Sequence, residues 1–259
     1  MKTPSLRHRF LSNKVADVDV TFWVLKVLTT AMGEATSDFL VHRFPPVLAV
    51  AAGGVVFLAV LWWQLTTPTY RVVPYWSAVV MVSVFGTMCA DVVHVQFLVP
   101  YVVSASAFSA ALAIVFLWWY RCERTLSIHS ITTTRREIFY WASVTTTFAL
   151  GTAVGDLTAY TLGWGFFVSG VVFALLIMMP ALGYRLTHLN GVVAFWWAYV
   201  LTRPLGASFA DWFGVSHVRG GLNWGPGTVA IGFSCLIVVG VATMAIRERG
   251  GVGKSEQRH

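Results

Sequence analysis

Residues 196–211 read WWAYVLTRPLGASFAD, an apolar run that carries Arg203, Pro204 and Asp211 within nine residues. A charge near the middle of a bilayer costs at least about 2.5 kcal/mol even on lenient scales, and proline removes a backbone donor from a helix interior. Such a span needs a partner or a cavity. The same pattern stands three times upstream, in FWVLKVLTTAMGEATSD (22–38), YWSAVVMVSVFGTMCAD (75–91) and YWASVTTTFALGTAVGD (140–156). Each segment has a Trp fifteen residues before its last Asp: Trp23, Trp76, Trp141 and Trp196. Each has a Gly five residues before it: Gly33, Gly86, Gly151 and Gly206. A small residue, Ser37, Ala90, Gly155 or Ala210, precedes the acids Asp38, Asp91, Asp156 and Asp211.

A second apolar run follows each segment, at 47–65, 99–120, 164–184 and 227–246. Each is close to the roughly 20 residues that cross a bilayer as a helix. The chain is 57% hydrophobic and 11% charged, where soluble domains average about 25% charged residues. The expected fold is therefore an all-α membrane protein of eight transmembrane helices, arranged as four tandem helical hairpin repeats in parallel orientation. The boundaries are a cytoplasmic N-terminal segment at 1–19, repeats at 20–65, 74–120, 139–184 and 192–246, a basic cytoplasmic connection at 121–138, and a disordered basic tail at 247–259. Fourteen of the eighteen Lys and Arg flank the repeats, against two, Arg43 and Arg219, inside the hairpins. Positive-inside then places both termini in the cytoplasm. That bias also accounts for the net charge of +7 without a nucleic-acid partner. The recurrent Trp is expected at the cytoplasmic interface, with each Asp roughly 22 Å further along its helix. SIHSI (127–131) reads as a solvated loop, and three scattered cysteines suggest neither a disulfide framework nor a zinc site.

Residues four apart share a helix face. In the first repeat Lys26, Thr30, Glu34 and Asp38 form one polar stripe; the matching sets are Val79, Ser83, Thr87 and Asp91, then Val144, Phe148, Thr152 and Asp156, then Tyr199, Arg203, Ala207 and Asp211. Beside it runs a stripe of small residues, with Gly33, Gly86, Gly151, Gly155 and Gly206 as helix-packing positions. The first helix of each repeat is thus expected inside and the second facing lipid. Pro204 is expected to kink its helix by displacing the Val200 carbonyl.

Five of the eleven acids lie in spans, against two bases, Lys26 and Arg203. An acid surplus inside a membrane calls for a cation, a proton or an aqueous vestibule. The reading is a transporter or channel for a small cation, divalent or proton-coupled. Asp38, Asp91, Asp156 and Asp211, with Glu34, Thr30, Thr87 and Thr152, are the candidate ion-binding residues, and Lys26 and Arg203 the internal counter-ions. A bound divalent cation is the implied ligand; His42 and His94, at helix-face spacing from Asp38 and Asp91, are candidate further ligands that would favour Mn²⁺, Zn²⁺ or Fe²⁺. Tyr160 stands in the corresponding region of the third repeat. The partners expected are the lipid bilayer and the cation. The alternatives are a scaffold or sensor whose acids are structural, and a membrane-embedded enzyme using Glu34 and Asp38; no soluble-type catalytic motif occurs.

In VLKVLTTAMGEATSD, ERTLSIHSI and LTRPLGASFADW the chain resembles a family of bacterial membrane proteins built from four tandem two-span repeats of unknown function, each with a recurrent Trp. The resemblance implies that topology and a bacterial inner-membrane setting. It implies no activity.

Overall fold

The computed structural model describes residues 13–95, 97–186 and 189–256. Eight long helices hold most of them: α1 (Val20–Arg43), α2 (Pro46–Thr66), α3 (Val72–Val95), α4 (Tyr101–Glu123), α5 (Thr134–Asp156), α6 (Gly165–Leu186), α7 (Gly191–Gly214) and α8 (Pro226–Glu256). No strand occurs among the described residues. Local chemistry sets the starts. The Asp19 side chain accepts from the Phe22 N–H, Thr133 from Arg136 and Asn190 from Val192, so α1, α5 and α7 begin on side-chain caps. α2 and α8 begin at Pro46 and Pro226, and Pro100 caps α4, where a missing N–H costs nothing.

The odd-numbered helices close into an inner ring, α1 against α3, α3 against α5, α5 against α7 and α7 against α1. They run parallel, because paired contacts ascend together along both partners. Phe22, Thr29 and Ser37 of α1 meet Trp76, Ser83 and Asp91 of α3 in that order. Tyr75, Gly86 and His94 of α3 meet Tyr140, Phe148 and Asp156 of α5.

One contact, repeated four times, fixes the spacing of the ring. A β-carbon at Gly33 would fall 2.6 Å from Ser83 Cβ, at Gly86 2.8 Å from Phe148 Cβ, at Gly151 2.5 Å from Arg203 Cβ, and at Gly206 2.7 Å from Thr30 Cβ. Each repeat glycine therefore receives the residue eight before the Asp of the next repeat, and the fourth repeat closes on the first. Pro204, inside an unbroken α7, rests its Cδ against Gly151 and its Cβ against Gly155.

The even-numbered helices form an outer layer, but each leans chiefly on the next repeat's inner helix rather than on its own. α2 packs on α3, α4 on α5, α6 on α7, and α8 on α1. Phe57 of α2, for example, stacks on Phe85 of α3 with ring centroids 5.3 Å apart. The outer faces show Leu58, Trp62, Ile114, Trp118, Leu175, Ile231 and Val238 to the surroundings. Five helices, α2, α3, α4, α6 and α8, are long and apolar enough to cross a membrane, which fits a multi-pass membrane protein. α1, α5 and α7 fall short because they carry the polar stripe.

Trp76, Trp141 and Trp196 are buried in the bundle, where they pack with Phe22, Tyr75, Tyr140 and Tyr199 into an aromatic floor. Two expectations need correction. SIHSI is not a solvated loop, since Ile128 and Ile131 are buried and only His129 projects outward. Beside it, residues 13–16 of the N-terminal segment cross the base of the ring, with Val15 and Ala16 in the core. Finally, α8 continues to Glu256, into the stretch expected as a disordered tail. Residues 1–12 and 257–259 of those terminal segments lie outside the described residues.

Candidate functional site

The ring places the four repeat acids at one end. Asp38, Asp91, Asp156 and Asp211 are each half-buried, while Glu34, one turn deeper on α1, is buried. One carboxylate oxygen from each of Glu34, Asp38 and Asp211 lies within 4.8 Å of the others. The remaining two acids have polar neighbours. The Ser37 hydroxyl donates to Asp91 Oδ2 at 3.0 Å. His94 Nδ1 faces Asp156 Oδ2 at 3.6 Å, and its Nε2 lies 2.6 Å from Ser104 Oγ. The end therefore forms an acidic mouth.

Beneath it sits a polar node to which every repeat contributes. Arg203 of α7 forms an ion pair with Glu34 of α1. The same Nη2 donates to the hydroxyls of Thr87 of α3 and Thr152 of α5, the latter at 2.8 Å. Both threonines spend their own hydroxyl hydrogens on carbonyls of their own helices, Ser83 at 2.8 Å and Phe148 at 3.0 Å. Their oxygens are left to accept from the guanidinium. Thr30 closes the fourth side, its hydroxyl donating to the Val27 carbonyl of its own helix at 2.6 Å and lying 3.1 Å from the Thr202 carbonyl. The fourth repeat carries Ala207 where the others carry Glu34, Thr87 and Thr152. It supplies the donor, and the others supply the acceptors.

Lys26 lies one layer further in. It is buried, and its ammonium sits 4.1 Å from the Phe148 ring centroid and 4.4 Å from that of Tyr199. Its Nζ has no hydrogen-bond partner among the described residues; cation–π contacts of this kind are worth more when desolvated. Of the two expected counter-ions, Arg203 meets a carboxylate and Lys26 meets aromatic faces. Below them the aromatic floor closes the ring, with the hydroxyls of Tyr75 and Tyr140 2.6 Å apart.

The structure brings Thr30, Glu34, Asp38, Thr87, Asp91, Thr152, Asp156, Arg203 and Asp211 around one axis. It does not bring His42 there. That side chain is exposed, and its ring nitrogen meets the Asp38 carbonyl of its own helix at 2.6 Å. Tyr160 projects outward beside Tyr101, ring centroids 6.0 Å apart.

A second polar cluster, at the opposite end, escaped sequence reasoning altogether. Glu137 in the first turn of α5 is fully buried and forms an ion pair with Lys14. Gln64 Nε2 donates to Glu137 Oε1 at 2.9 Å. Tyr70 closes over this end, and burial pushes its phenol up to about 12. The one signal that could have found Glu137 is its isolation from a cation on its own helix face; Arg136 turns instead to Glu123 at 2.8 Å.

A family model described as Repeat of Unknown Function (DUF347) matches residues 74–125, 139–189 and 194–249. These stretches cover the second and third repeats and all but the first two residues of the fourth. The first repeat, at 20–65, shares their Trp, Gly and Asp spacing and the same ring contact. No curated protein and no solved structure matches the chain.

Proposed function

The chain belongs to the family of the Repeat of Unknown Function (DUF347), and since that description assigns no chemistry, we propose a function from the site: an eight-span membrane protein that binds a small cation at its acidic mouth and carries it across the bilayer. The three inner helices too polar to pass as isolated spans are shielded by their neighbours, so all eight count as spans, paired in sequence as four hairpins. Parallel inner helices agree with four repeats of one orientation. The basic end is then cytoplasmic and the acidic mouth faces outward, in a bacterial inner membrane.

The observation that carries this reading is the convergence of four repeat-equivalent aspartates and Glu34 on one mouth, with Arg203 as the cation beneath them. Acids concentrated without matching cations favour cation entry. The closest trio, Glu34, Asp38 and Asp211, offers carboxylate oxygens alone. Such a set suits Mg²⁺ or Mn²⁺ better than Zn²⁺, which His42 and His94 would have favoured. Binding should appear as stabilisation, about 2.7 kcal/mol at a hundredfold excess over Kd. We expect Mg²⁺ or Mn²⁺ to raise the melting temperature of the wild type, and Asp211→Asn to abolish that rise while the protein still folds. The second reading, a scaffold with structural acids, draws on the Ser37–Asp91 and His94–Asp156 contacts. It predicts no cation effect and a merely less stable Asp211→Asn protein.

A further inference from the structure

The base of the bundle holds a cation in a setting that the mouth does not explain. Lys14 belongs to a short strap, not to a helix, and the strap is pinned on several sides. The Lys14 N–H donates to the Ile131 carbonyl at 2.8 Å, the Asn13 amide to the Ile128 carbonyl at 3.0 Å, and the Tyr70 N–H to the Asn13 carbonyl at 3.0 Å. These bonds deliver one ammonium to one place. Its Nζ donates to the Leu65 carbonyl at 3.0 Å and rests against Glu137 Oε2. Gln64 orients the group, its Nε2 donating to Glu137 Oε1 at 2.9 Å and to the Lys14 carbonyl at 3.2 Å. Its own Oε1 remains a buried acceptor without a hydrogen-bond partner among the described residues. Glu137 and Gln64 are both fully buried, and a lone buried carboxylate is costly unless a cation accompanies it.

We propose that the base carries a second cation site, formed by the Glu137 carboxylate and the Leu65 carbonyl, which the Lys14 ammonium fills as a tethered cation and which a small monovalent cation takes when that ammonium is withdrawn. Carbonyl and carboxylate oxygens replace the hydration shell of such ions, and ammonium and K⁺ make similar demands on an oxygen cage. As the exit end of a cation route, the site rests on the transport reading above; its occupancy by a cation does not.

The test uses stability, so absence of transport leaves it untouched. Lys14→Met is melted in choline chloride, KCl and NH₄Cl at equal ionic strength, beside the wild type and the double variant Lys14→Met/Glu137→Gln. Lys14→Met should melt lower than the wild type in choline, and K⁺ or NH₄⁺ should restore at least half of the loss, saturably. The wild type should not distinguish the salts, and the double variant should show no recovery. If Lys14→Met folds in K⁺ or NH₄⁺ but not in choline, the proposal is upheld in its strongest form. Recovery no greater than in choline, equal recovery in the double variant, or failure to fold in all three salts overturns it.

Discussion

Glu34→Ala is expected to lower the unfolding free energy by about 3–5 kcal/mol, the range for removing one partner of a buried ion pair. The large value follows from what remains. Arg203 is almost fully enclosed, its guanidinium faces Thr87 and Thr152, and Glu34 is its ion-pair partner. Arginine stays protonated in proteins, so the charge cannot be shed. The double variant Glu34→Gln/Arg203→Met removes both charges and should lose much less, because a buried pair replaced by groups of similar volume is often near neutral. Thermal melts of the three proteins in one detergent measure this. Equal losses in the single and double variants would mean that Arg203 finds compensation elsewhere.

Gly151→Ala and Gly155→Ala, one turn apart on α5, should differ sharply. A β-carbon at Gly151 would lie 2.5 Å from Arg203 Cβ and 2.9 Å from Pro204 Cδ. Neither neighbour can yield easily, since Arg203 is held in the node and the proline ring is fixed to the α7 backbone. Overpacking of this kind costs about 1–3 kcal/mol, and here it displaces the guanidinium as well. At Gly155 the nearest atoms would be 3.8–3.9 Å away, an ordinary contact. Gly155→Ala should therefore be neutral or stabilising, by up to about 1 kcal/mol through helix propensity. Melting temperatures that fall equally in both would contradict the ring contact described for the four repeat glycines.

The sequence announced the ring through its spacing. A Gly five before each Asp and a polar stripe at every fourth residue identify the inner helices, their shared face and the depth of the acids. Arg203 and Glu34 stood out because charges in apolar runs demand partners. What spacing did not say is which neighbour each outer helix would choose. An apolar face fits its own repeat or the next one equally well, and the choice depends on the closure of the whole ring. Nor did the Trp spacing say what the indoles would touch: an indole suits an interface, but it also suits a core where Tyr and Phe supply its neighbours. Glu137 and Lys14 went unread because TRREIF resembles any charged helix start, and the lack of a cation on the Glu137 face is a weak signal by itself. Their burial comes from a strap that returns from 123 residues earlier in the chain, and no local pattern encodes that return.

Flux into sealed proteoliposomes decides whether the acidic mouth feeds a cation route. Mn²⁺ and Mg²⁺ uptake would be followed for the wild type and for Asp38→Asn and Asp211→Asn proteins that pass the same monodispersity check. Saturable uptake by the wild type and a loss of at least tenfold in each variant are expected. Uptake that survives both substitutions, or no uptake of either ion by a well-folded wild type, would contradict that route.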